Sequence, residues 1–150
     1  MRHGCVVLLL LAVLLPTAMA AAADDVGRVK VTKGEVRIER AGQKLPASVG
    51  MKLLEGDVIV TGRDGSAGVT FNDDSLLSVG PDSALAIDRF AFDSTTHAGR
   101  FDTSLRRGTL AAVSGKIAKQ SPDAMKVRTP STILGVRGTE FVVRAVPVTP

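Results

Sequence analysis

From Val26 onward the chain alternates apolar and polar residues in short runs broken by Gly, Asp, Asn and Pro. That period of two is the mark of half-buried strands, because successive side chains of a strand point to opposite faces. Val26 to Thr32 and Glu35 to Arg40 flank a Lys33-Gly34 step, a pattern that predicts a hairpin with one buried face. Ala41-Gly42-Gln43 makes the next turn. Leu45 to Leu53 reads as a weak strand or loop, and Pro46 places it at an edge, since proline has no N–H to give a ladder.

The centre is the most regular part. Val58 to Thr61, Ser66 to Phe71, Ser75 to Val79 and Ser83 to Ile87 are strands separated by Gly62-Arg63-Asp64-Gly65, Asn72-Asp73-Asp74 and Gly80-Pro81-Asp82. Ser66, Ser75 and Ser83 each follow a turn, at spacings of nine and then eight residues. Such spacing predicts an all-β single domain of short stacked strands, solenoid-like or a rolled β-sheet. Beyond Phe90-Ala91-Phe92 and a polar loop at 93–99, a strand is expected from Arg100 to Leu105 and a turn at Arg106-Arg107-Gly108. Leu110 to Lys119 has the Ala, Leu and Lys content of a helix, interrupted by Gly115. Met125 to Thr129 is a strand, Thr129-Pro130-Ser131 a turn, and Ile133 to Val143 a final strand.

That last strand sets Arg137 between Gly135 and Gly138. Unbroken alternation puts Arg137, Thr139, Phe141 and Val143 on one face; a bulge at Gly138 instead groups Val136 with Phe141 and turns Arg137 outward. With five donors, the guanidinium suits either a staple onto carbonyls or an acid of a neighbouring strand, the expected role, or a contact with a partner. Arg137, Gly138, Thr139 and Phe141 are therefore the candidate structural or partner-contact residues.

The N-terminus adds a compartment. Met-Arg-His precedes an apolar run from Cys5 to Leu15, Pro16 breaks it, and Ala18-Met19-Ala20 is a small-x-small cleavage pattern. Residues 1–20 are thus read as a signal peptide, with Ala21 to Ala23 as alternative cut sites and an uncleaved anchor as the competing reading. The expected location is the periplasm, with secretion as the alternative, and no stable membrane insertion once the signal is removed. Cys5 is the only cysteine and leaves with the signal, so the exported part forms no internal disulfide. Cleavage after Ala20 leaves 18 basic residues against 15 acidic, a net charge of +3. The basic residues are dispersed, with no aromatic stripe among them, which argues against nucleic acid.

Catalytic and metal chemistry find little support. The turn acids Asp57, Asp64, Asp73, Asp74 and Asp82 are what tight turns need for their own backbone bonding, and no Asp-x-Asp-x-Asp-Gly loop with a distal Glu stands among them. His97 is the one histidine left after processing, in a polar loop and without a second His or a Cys for zinc. No Gly-x-Ser-x-Gly elbow and no glycine-rich phosphate loop is present. No enzyme activity, cofactor or metal is expected. A small-molecule or glycan module is the alternative to protein binding, although the absence of Trp and Tyr removes the usual stacking faces for sugars.

Several blocks together resemble the FecR domain, the periplasmic domain of the ferric-citrate regulator. They are Gly34-Glu35-Val36, Leu54-Glu55-Gly56-Asp57-Val58-Ile59-Val60-Thr61-Gly62, Gly65-Ser66-Ala67, Phe71-Asn72-Asp73-Asp74-Ser75, Pro81-Asp82-Ser83, Arg107-Gly108-Thr109-Leu110, Val127-Arg128-Thr129-Pro130 and Val136-Arg137-Gly138-Thr139-Glu140-Phe141. The resemblance covers 26–143, leaving 144–150 as a C-terminal tail. It implies a non-catalytic, all-β protein-interaction domain of the cell envelope, engaged in signal relay or scaffolding. The implied partner is an envelope protein, a TonB-dependent receptor or a membrane-anchored regulator. The founding regulators carry a cytoplasmic anti-sigma segment and a transmembrane helix before this domain. Here a signal peptide takes their place, which points to the stand-alone exported members.

Overall fold

The computed structural model describes residues 24–147, so the signal-peptide reading of 1–20 lies outside the described residues. Twelve strands and one short helix follow in order. They are β1 (Asp25–Lys33), β2 (Val36–Arg40), β3 (Gln43–Pro46), β4 (Lys52–Leu54), β5 (Val58–Thr61), β6 (Ser66–Phe71), β7 (Leu76–Val79), β8 (Ala84–Phe92), β9 (Gly99–Val113), α1 (Lys116–Gln120), β10 (Met125–Arg128), β11 (Ile133–Val136) and β12 (Glu140–Ala145).

They form one curled sheet in the order β3-β2-β5-β8-β9-β7-β6-β1-β4, with β10 and β12 added along β9 and β11 along β10. Every pairing is antiparallel except β9 with β10. Of the two expected forms, the rolled sheet is the one present. The fifteen-residue β9 joins its two layers. Its first part pairs with β8 and β10, and its last part with β7 and β12. Between them, Gly108 has φ +93°, a backbone region open to glycine, and a Cβ there would overlap the Ser83 side chain. The turn expected at Arg106-Arg107-Gly108 is therefore a bend, at which the strand changes layer without reversing.

The hairpin expected across Lys33-Gly34 does not form. β1 pairs with β4 and β6, whereas β2 pairs with β3 and β5. The link at 34–35 is a corner that carries the chain from one layer to the other, beside the matching corner at 62–65, where the Gly62 N–H donates to the Glu35 carbonyl at 3.0 Å. Crossing there lets Val29 of β1 and Ile38 of β2 enter one core from opposite layers. The third crossing, at 80–83, lies beside these, joined by an N–H from Asp82 to the Gly62 carbonyl at 3.0 Å.

Between the layers the core is aliphatic around three phenylalanines. Phe71 and Phe101 have ring centroids 4.4 Å apart, and Phe90 lies 5.0 Å from Phe101. Such pairs add to the stabilisation that ring burial gives. β5 is buried along its whole length, since Ile59 joins this core while Val58 and Val60 pack with Ala84 and Ala86 on the other face. Its unbroken apolar run, Val58-Ile59-Val60, follows from that double cover. Leu110 to Val113 is strand, not helix: pairing with β7 and β12 overrides the propensity of its alanines and leucine. Among the described residues helix is confined to Lys116–Gln120.

Candidate partner interface

Asp57, Asp73, Ser75 and Ser83, four of the polar groups singled out by their sequence setting, are consumed inside the fold. Asp73 is fully buried, and its carboxylate accepts from the Ser75 N–H at 3.1 Å and the Ser75 hydroxyl at 2.8 Å. The Ser75 oxygen in turn accepts the Gly115 N–H at 2.9 Å, tying the β6–β7 turn to the exit of β9. The Ser83 oxygen accepts the Thr109 N–H at 3.0 Å, and the Thr61 hydroxyl, which donates to the Gly80 carbonyl at 2.6 Å, accepts the Ser83 N–H at 3.0 Å. Two of the three repeated serines are thus latches between corners.

Asp57 is buried and accepts both nitrogens of a fork from Arg40, at 2.8 and 2.6 Å, as well as the Leu54 N–H at 2.8 Å. Arg40 also donates to the Lys52 carbonyl at 3.0 Å. The hydrogen bond to Asp57 holds the Arg40 guanidinium above its usual pKa, against the opposing pull of desolvation. His97 lies in the 93–99 loop with its ring stacked on Phe92, centroids 6.1 Å apart. Among the described residues no group of three His, Cys, Asp or Glu side chains is placed to hold a metal ion.

The arginine of the last strand is placed differently. The run from Ile133 to Val143 is two strands, β11 and β12, parted at Arg137, Gly138 and Thr139. Gly138 has φ +71°, and beyond it the inward positions are Phe141, Val143 and Ala145, in line with buried Val136. This is the shifted register, with Arg137 turned outward. Arg137, Gly138 and Thr139 are exposed, and the Arg137 guanidinium has no hydrogen bond or ion pair among the described residues. The staple expected of it is not formed among the described residues. Phe141 alone of the four candidates packs against the core, where it is half-buried. β12 runs on to Ala145, so Arg144 and Ala145, read as tail, are strand.

A second polar surface, not anticipated, lies on the outer side of β8, β9 and β10. Asp88, Arg89, Arg100, Asp102, Ser104 and Arg128 line a shallow cleft of about 440 Å³. Arg100 donates to Asp102 at 2.7 Å, and Ser104 bonds Asp88. The signal for this surface was present as the alternation Arg100, Asp102, Ser104, Arg106, all on one face of β9.

The FecR protein family model matches residues 57–148. The chain belongs to the FecR family. Its members are periplasmic signal-transduction regulators, a regulatory and non-catalytic family whose proteins meet envelope and receptor partners. The matched span begins at Asp57, the buried partner of Arg40, and contains the corners at Gly62 and Gly108 and the arginine loop. Strands β1 to β4 precede it, yet they supply Val29, Ile38 and Leu53 to the FecR core. No match was found among curated proteins or among solved structures. Among the described residues, no helix of this FecR chain is long and apolar enough to cross a membrane.

Proposed function

We propose that this chain is an exported, non-catalytic FecR domain that binds another envelope protein, in signal relay or as a scaffold, through the 137–139 loop and Phe141. The observation that carries this reading is the free guanidinium of Arg137, held out of the fold on a loop whose course is fixed by the left-handed Gly138. An arginine with its fork unspent suits an acidic partner, because it offers paired donors matched to a carboxylate. The half-buried ring of Phe141 adds an apolar anchor beside it. A TonB-dependent receptor or a membrane-anchored regulator is the partner class that the family suggests.

The test is a crosslinking pull-down of the tagged, processed protein from the cell envelope, beside Arg137→Ala and a tag-only control. One stoichiometric partner that Arg137→Ala loses is expected. Thermal unfolding of the variant should match the wild type, since an exposed, unpaired side chain changes stability by no more than about 0.5 kcal/mol. A variant that unfolds early, or keeps the same partner, overturns the assignment. The cleft lined by Arg89, Arg100 and Arg128 favours a second reading, a small-molecule or glycan module, because one buried oxygen of Asp102 has no partner there and can accept from a ligand's hydroxyl or N–H.

A further inference from the structure

We infer that the open edge of β12 pairs with the same edge of a second copy of this chain, giving a two-fold dimer centred on Val142. This rests on the strand's geometry and not on Arg137, and it places Phe141, the apolar anchor offered above, in the seam between the two copies.

Among the described residues β12 pairs only with β9, in unbroken register from Glu140 opposite Val113 to Ala145 opposite Gly108. Just before it, the Ser114 N–H donates to the Thr139 carbonyl at 3.3 Å. In an antiparallel ladder hydrogen-bonded pairs alternate with non-bonded ones, so Phe141, Val143 and Ala145 also face β9 with their backbone groups. The N–H and C=O groups of Glu140, Val142 and Arg144 therefore point to the open side. A second β12 must bond those even-numbered residues. Two-fold registers centred on Phe141, Val142 or Val143 all satisfy that rule.

Charge selects among them. Centring on Val142 sets Glu140 opposite Arg144 of the second copy, and Arg144 opposite its Glu140, so both ends of the seam carry an opposite-charge pair. Centring on Phe141 or Val143 sets one of these charges against Val142. The chosen register makes about six main-chain hydrogen bonds. It covers Val142, which is 70% exposed, with its own twin. On the inner face it lays half-buried Phe141 against Val143 of the second copy, continuing the core.

The other edges are poorer templates. β4 has three residues, β3 has four and ends at Pro46, and β11 has four. β12 has six, without proline or bulge, and such an edge recruits another strand unless something covers it.

The experiment is sedimentation velocity on the processed chain over a concentration series, with Glu140→Arg, Arg144→Glu and the double exchange. All three change exposed side chains, and circular dichroism checks each fold. Expected is a reversible dimer that either single reversal weakens about tenfold or more, by setting like charges opposite at both ends. The double exchange restores it to within about threefold, because it rebuilds both pairs with their signs swapped. Val142→Cys should yield a disulfide-linked dimer on mild oxidation, since directly opposed hydrogen-bonded residues sit about 5.5 Å apart at Cα, within disulfide range. A monomer at every concentration overturns the inference. So does a dimer indifferent to the reversals, or an edge occupied only by a different envelope protein.

Discussion

The turns at Asp73 and Ser83 and the loop at 137–139 all set polar groups between strands, yet the fold buries the first two and leaves the third in solvent. Asp73 and Ser75 exhaust one another and reach across to Gly115; Ser83 does the same with Thr61 and Thr109. Burial forces this, because an unpaired polar group in the interior costs more than a hydrogen bond returns. Arg137 is under no such demand, and water satisfies it. The difference teaches that a side chain spent on internal partners has nothing left with which to recognise another molecule. In this FecR domain the loop before β12 and the open edge of that strand carry unspent groups of this kind.

That contrast can be attacked first where the internal polar chemistry is most heavily loaded. Arg40→Ala leaves the Asp57 carboxylate buried with only the Leu54 N–H, and the loss should be about 2–4 kcal/mol, below the full cost of breaking a deeply buried pair because Arg40 is partly exposed. Urea unfolding of the variant reads this directly. A loss below about 0.5 kcal/mol, the scale set for Arg137→Ala, would erase the distinction between spent and unspent arginines. Next comes Asp73→Ala, which strands the Ser75 hydroxyl and N–H in the interior for about 1–3 kcal/mol. Amide exchange at Gly115 and Ile117 should quicken in that variant, since both N–H groups belong to the same cluster.

The boundaries of β5 and β6 could be read from the chain because each rests on a local signal: period-two alternation or a short apolar run, between turns of glycine, aspartate and asparagine. Pairing could not. Whether β1 folds back on β2 or crosses to the opposite layer depends on the neighbouring corner at 62–65, about thirty residues away, and no feature of Lys33-Gly34 encodes it. Arg40 and Asp57 meet across seventeen residues for the same reason. Leu110 to Val113 misled by composition, since alanine and leucine favour helix until two strands offer them a ladder. At Arg137 the alternation left two registers open, and the left-handed Gly138 decides between them. Its exposure follows from that choice, and so does the failure of the stapling role.

The smallest expected effect separates surface pairing from both classes. Asp74, at the exposed tip of the β6–β7 turn, accepts a hydrogen bond from Lys116 at 2.8 Å. That bond first, and the lysine's charge second, lower the Asp74 pKa below its ordinary value. Asp93 is lowered likewise by the N–H groups of Thr96 and Thr95. A carboxylate whose folded pKa is depressed contributes stability above its unfolded pKa of about 3.9, and that contribution disappears as the pH falls through the folded value. Lys116→Ala should raise the Asp74 pKa toward the ordinary value in an NMR titration, while the Asp93 pKa stays low because its donors are backbone groups of its own loop. The urea midpoint at neutral pH should scarcely move, since solvent screens an exposed pair. A large drop there would mean that the β6–β7 turn is held from its surface as well as through Asp73.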